Sequence, residues 1–570
     1  MPRILWLLLF APLFLAACDD TTSPPAANDG VDTLAVDAPP VPDDALAVID
    51  SAALWQHVAT LASDEFEGRG TGTPGEEKTI TYIREQMEAV GLVGGAADGG
   101  FFQPVPLFGS TPTDVGNLVL TPDDGEAIVL DFVDDYIAST DLDADAAEID
   151  GPLVFVGYGI SNPGYDWDDY KDLDVTGKVL LSFVNDPPAT EAEPNLFQAD
   201  TLTYNGRWTY KYEEARRRGA AGILLIHTEP MAGYPFTVLS NGARGEQIDL
   251  ATLPENPLAL KGWITQDVAE RVAEMSGTTL AAWQAAAATR DFEPQELPVN
   301  ANLAMQFERR RFEGTNVLGK IVGTQRPDEA IVYTAHHDHL GKDQALIDAG
   351  EDGIYNGAVD NASGVAMMLE IAEAFMAGEA PARTVLFATL SAEESGLLGS
   401  KFYATAPVVP LAKTIANVNV DSGNLYGETN DIVGIGAERS EMLGLLRDAA
   451  ADENMTVTPD PTPNQGIFFR SDQLAFARGG VPAVFIKTGR DFRNQPAEYH
   501  DEVMAEYRAN HYHQTEDELR DDMPLGGIVQ QTRVAFRLGY RLANSSLRPQ
   551  WKPSEAFAET RAASEAEAGI

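Results

Sequence analysis

The chain reads as an α/β protein: a mainly parallel sheet with helices on both faces, interrupted by an inserted β-rich domain. Three observations predict this. Apolar runs at 329–335, 384–390, 414–420 and 481–487 have the length and composition of strands. Helical stretches separate them, the clearest being 364–378, which Gly378 terminates, and alternating β and α units imply a parallel sheet. Between 123 and 299 the texture changes to short β-rich runs, such as 151–160 and 177–184, set between Asp, Pro and Gly turns.

Taken in order, residues 1–18 place Arg3 before an apolar run that ends in Leu15-Ala16-Ala17-Cys18. That run is short for a bilayer span and suits the apolar region of a signal peptide. Its end resembles a bacterial lipobox, which implies that Cys18 is lipidated and anchors the mature chain to a membrane. Residues 19–44, rich in Asp, Thr, Ser, Pro and Ala, read as an acidic flexible tether. Residues 45–122 form the first part of the main domain. Within them, Ile80, Ile83, Met87 and Val90 share one face of a helix over 76–90 that Gly91 stops. The Gly-rich loop 61–75 before it follows no strand, which argues against nucleotide binding. The insert spans 123–299 and contains a helix at 210–222 leading into a strand at 223–227, where His227 reads as structural. Residues 300–545 complete the main domain, and 546–570, rich in Ala, Glu and Ser, read as a loose tail.

Charge narrows the partners. Against 39 basic residues stand 88 acidic ones, a formal charge of −49, and such a field repels nucleic acid and anionic lipid. The single cysteine rules out an internal disulfide and a thiolate metal site.

In an open α/β sheet, ligands gather beyond the carboxyl ends of the strands. Those ends carry His336-His337-Asp338-His339, then Asp360-Asn361 ahead of the long helix, Glu393-Glu394, and Asp421-Ser422. His511-Tyr512-His513 follows near the C-terminus. Three carboxylates and two imidazoles, one carboxylate bridging, suffice for two zinc ions with three protein contacts each. Adjacent glutamates then divide the work, one ligating and the other taking a proton from water.

The strings AHHDHLG, NGAVDNASG, SAEESGLLGS, NVNVDSG and YHQTEDE resemble the metal-site motifs of metallopeptidase family 28, the dizinc aminopeptidases. GYGI, a Tyr-Asp pair and GAAG within 123–299 resemble the protease-associated domain, an insertion that caps or shapes a cleft. The resemblance implies a zinc aminopeptidase (phosphorylase/hydrolase-like) fold. It assigns His336 and Asp421 to one zinc, Glu394 and His513 to the other, and Asp360 to both. Glu393 becomes the general base, and Asp338 the carboxylate that orients His336. Gln473 stands where many relatives carry histidine, and Ser422 where methionine is commoner. The implied activity is removal of N-terminal residues from peptides in the cell envelope, facing the periplasm or exterior. Manganese or cobalt would suit the same donors. A carboxypeptidase or cyclase on the same fold is the enzymatic alternative, with Arg470 and Lys487 as candidates for a substrate carboxylate. A non-catalytic surface receptor is the other alternative, and the retention of every ligand and the base argues against it.

Overall fold

The computed structural model describes residues 37–232 and 234–570. Cys18, the signal peptide expected over 1–18 and most of the tether expected over 19–44 lie outside the described residues.

The strand Arg326–His336 runs parallel to Arg383–Leu390 on one side and Thr414–Val420 on the other, and Ala483–Thr488 continues the parallel set. Antiparallel strands flank it: the end of Gln295–Ile321 beside Arg383–Leu390, and Asp431–Ile435 beside Ala483–Thr488. Arg383–Leu390 and Thr414–Val420 are buried along their whole length, as expected of strands covered on both faces. On one face, helices Ser51–Leu61, Ser363–Ala377 and Gly526–Asn544 pack Leu54, Val365 and Phe536 into the largest apolar cluster. On the other, Tyr403 and Phe476 from helices Leu398–Thr405 and Gln473–Arg478 cover Val332, Leu386 and Ala388. The expected mainly parallel sheet with two helical layers is therefore present. This arrangement brings His336, Asp421 and the Glu393–Glu394 pair to one rim.

The insert has its own apolar clusters and its own parallel strands, Val179–Phe183, Gly222–Ile226 and Leu260–Ile264. Besides Trp208–Arg217 it carries helices Gln266–Met275 and Leu280–Ala287. It is not hinged on a thin linker. The 27-residue strand Gln295–Ile321 pairs with Phe102–Val115 and runs from one unit into the other. The boundary expected at 123 and 299 falls inside a ladder in which Val299 faces Pro122.

Both terminal expectations need correction. Residues 546–570 are not a loose tail: Ala558–Ala568 is a helix, and Trp551, Phe557 and Arg561 are buried. Trp551 donates to the carbonyl of Gly480, and Arg561 donates to those of Leu411 and Thr414. Three anchors in an otherwise polar segment are enough to dock it. The tether also ends earlier than Ala45, because Val41 packs against the main core and Asp37 accepts the Ser546 N–H. No helix among the described residues is long and apolar enough to cross a membrane.

Candidate metal centre

His336 ends its strand with Nε2 3.2 Å from Asp360 Oδ1 and 3.6 Å from Asp421 Oδ1. His513 approaches from the C-terminal side, its Nε2 3.4 Å from Asp360 Oδ2 and 3.1 Å from Glu394 Oε2. The two oxygens of Asp360 thus face different imidazoles, the posture of a carboxylate shared between two ions. Two overlapping groups could hold metal: His336, Asp360 and Glu394, and His336, Glu393 and Asp421, with candidate donor atoms within 4.8 Å of one another in each. The sequence-derived set of His336, Asp360, Glu393, Glu394, Asp421 and His513 is brought together at one rim.

Residues 316–536 match the model of peptidase family M28. The chain is 23% identical over 395 residues to the aminopeptidase NAALADL1 of Rattus norvegicus, covering 66% of this chain and 48% of that protein. It is 34% identical over 120 residues to a probable zinc metalloprotease of Pyricularia oryzae, covering 21% of each. The match thus spans between a fifth and a half of these curated relatives. The fold is shared with the solved aminopeptidase from Aneurinibacillus sp. strain AM-1, at a TM-score of 0.50 and 18% identity over 90% of this chain and 98% of that one.

Electrostatics within residues 316–536 suit a cation. Burial opposes charge on His513, but the facing carboxylates of Asp360 and Glu394 outweigh it and raise its pKa to about 10. Burial and the neighbouring Asp360 oppose charge on Glu394, yet His339 and His513 bring it down to about 2. Nε2 of His513 is buried without a well-formed hydrogen bond. Donor atoms crowded this closely around shared carboxylates fit a metal centre. Glu393 moves the other way, pushed well above the usual carboxylate range by burial and by Glu394, Asp472 and Asp421, against the field of His336. A carboxyl that holds its proton readily is suited to acid–base work.

Asp338 faces both His336 and the turn that carries the two glutamates. His336 Nδ1 is 3.2 Å from the Asp338 carbonyl and 3.9 Å from its carboxylate. The carboxylate also accepts the N–H groups of Glu393 at 3.0 Å and Glu394 at 3.3 Å. It therefore shapes the turn that presents both glutamates.

Sequence reasoning missed three supports. Asp517 accepts the N–H groups of Val359 and Asp360 at 3.1 and 3.0 Å. Ser471 donates to Asp421 Oδ2 at 2.7 Å. Arg69, fully buried in the Gly-rich loop, donates to the carbonyls of Leu61, His337, Asn356 and Gly357. The only signal for Arg69 was a lone cation in that loop. Gln473 accepts from Asn419 and donates to the Phe468 carbonyl, so it braces a strand end. His337 faces Glu76, His500 meets Asp501, and His511 meets Glu506, all away from the donor cluster.

Proposed function

We propose that this chain is a dinuclear zinc aminopeptidase of the cell envelope, hydrolysing peptide N-terminal residues. The observation that carries the reading is the Asp360 carboxylate divided between His336 and His513, with Glu393 and Glu394 alongside. His336, Asp421 and Asp360 would hold one ion, and His513, Glu394 and Asp360 the other. Two zinc ions there would supply Lewis-acid activation of water and polarisation of the scissile carbonyl. Glu393 accepts a proton at its carboxylate and returns it to the leaving amine. Asp338 holds the backbone of Glu393 so that this carboxylate stays aimed. Tyr512 stacks on the His513 ring at 3.9 Å, and its phenol, in the field of Asp360 and Glu394, is a candidate to donate to oxygen charge developing on substrate. The insert serves as a protease-associated module bordering the cleft, and Cys18 carries the lipid anchor.

A second reading has one specific observation in its favour. Among the described residues Arg207 of the insert has a buried Nε without a partner, and burial together with the charge of Arg470, one residue before Ser471, lowers its pKa to about 10. Two guanidinium groups within each other's field, in a chain this acidic, suit a substrate carboxylate and hence a carboxypeptidase. Lys487 instead lies over the Phe485 ring.

A panel of aminoacyl and carboxyl-terminal chromogenic peptides, assayed with metal analysis, separates the readings. Aminoacyl turnover with two bound ions supports the first; turnover of only the carboxyl-terminal class sinks it. For the anchor, Cys18→Ser should move the protein from the membrane to the soluble fraction, and unchanged fractionation would refute lipidation at that residue.

A further inference from the structure

We propose that His339 is a positioning residue that sets one half of the metal centre by fixing which oxygen of Glu394 faces the ion. The proposal rests on the two-metal reading above. Nδ1 of His339 lies 2.7 Å from Glu394 Oε1, leaving Oε2 toward His513 Nε2 at 3.1 Å. A carboxylate free to rotate would exchange these oxygens; one tied through Oε1 cannot without breaking a buried, charge-assisted hydrogen bond.

The imidazole is itself held in place. His339 pairs through its backbone with Gly70, its N–H donates to the Arg69 carbonyl, and its ring meets that of His513 edge-on at 5.8 Å. Gly357 lets the ring in: its φ is 55°, and a Cβ there would fall 2.6 Å from His339 Cδ2. With Nδ1 donating to Glu394, Nε2 of His339 has no hydrogen-bond partner among the described residues. The tautomer is thereby set with the proton on Nδ1.

The other half is braced by different groups. His336 is oriented by the Asp338 carbonyl and Asp421 by Ser471. Asp338 touches both halves, through its carbonyl on His336 and its carboxylate on the Glu394 N–H, whereas His339 meets only the Glu394 carboxylate and the His513 ring, so loss of His339 acts on the His513 side.

The test uses the full chain stripped of metal and titrated with Zn²⁺ by calorimetry and with Co²⁺ by visible absorption. Wild type takes up two ions. In His339→Ala one binding step keeps its affinity and the other weakens about 10- to 100-fold, the usual cost of losing an outer-sphere partner. His339→Asn, whose amide N–H falls near the Nδ1 position, restores the weakened step, whereas His339→Gln, whose amide falls near Nε2, does not. If His339→Ala fails to fold, the Asn and Gln chains carry the same comparison. Equal weakening of both steps, or no change in either, overturns the proposal and leaves the two-metal reading intact. Loss of an imidazole band from the Co²⁺ spectrum makes His339 a ligand and also overturns it. A wild type that takes up fewer than two ions overturns both.

Discussion

The Asp338 carboxylate accepts the backbone N–H of Glu393 at 3.0 Å, so a residue at one strand end holds the turn at the next. Its companion contact to the Glu394 N–H makes the carboxylate a two-point clamp. Asp338→Asn keeps one acceptor oxygen and turns an amide N–H against the other donor. The expected result is a fall of about 10- to 100-fold in kcat with KM nearly unchanged, the pattern of a displaced general base. Steady-state kinetics on one peptide substrate checks it, and a loss confined to KM would contradict it.

Glu393→Gln removes the proton acceptor while keeping volume. Turnover should fall about 10²- to 10⁴-fold, the usual contribution of a positioned general base. The metal content should stay as in wild type, because the proposed ligands are other residues. Metal analysis and rate measurement on the same sample decide the point; a coupled loss of metal would make Glu393 a ligand.

How much of this was legible in the chain depended on where each group acts. His336, Asp421 and Glu393–Glu394 follow apolar strands directly, and a parallel sheet delivers such ends to one rim, so local sequence carried them. Arg69 and Asp517 act on backbone groups far along the chain, and nothing in their own neighbourhoods marks those partners. The strand Gln295–Ile321 was hidden because Arg309, Arg310 and Arg311 interrupt its apolar alternation. Those side chains are stabilised from outside, Arg310 by Glu246 and Arg311 by Asp143. The docked tail escaped for the reverse reason, since three anchors are too few to leave a periodic pattern.

Arg69 ties the end of helix Ser51–Leu61 to the His337 backbone and to the loop before Asp360. Arg69→Met keeps much of the side-chain volume and leaves the carbonyls of Leu61, His337 and Asn356 without their donor, while that of Gly357 keeps the Ala362 N–H. Each unsatisfied buried group costs about 1–3 kcal/mol, partly relieved by relaxation, so a net loss of about 3 kcal/mol or more is expected. Urea unfolding followed by tryptophan fluorescence checks this. A change below about 1 kcal/mol would mean that the loop is held by its other contacts.

Metal removal should act on stability as well as rate. Asp360, Glu394, Asp421 and Glu393 crowd together, and cations that bind only the folded chain stabilise it by mass action. At a free-ion concentration of 100 times Kd the effect is about 2.7 kcal/mol per site. Calorimetry with and without chelator should therefore show a lowered unfolding temperature that added zinc restores, alongside lost hydrolysis. An unchanged transition would show that the cluster does not bind zinc under those conditions.

Acid sensitivity should be visible in the insert. Asp141 is buried and accepts from both Arg216 Nε at 2.6 Å and Nη2 at 2.7 Å, with Lys261 at 2.8 Å. Burial opposes its charge, but Arg216 and Lys261 prevail and lower its pKa from 3.8 to about 2. Because the folded value lies below the unfolded one, the unfolded chain binds the proton more readily. The stabilisation is full above the unfolded pKa and is lost as pH falls through about 2. The shift corresponds to about 2 kcal/mol. Asp141→Asn should therefore destabilise the chain by at least this much at neutral pH, because it also leaves two cations without their partner. It should also flatten the loss of stability between about pH 4 and pH 2. Unfolding curves across that range test both parts, and a variant whose acid limb matches wild type would remove Asp141 from the account.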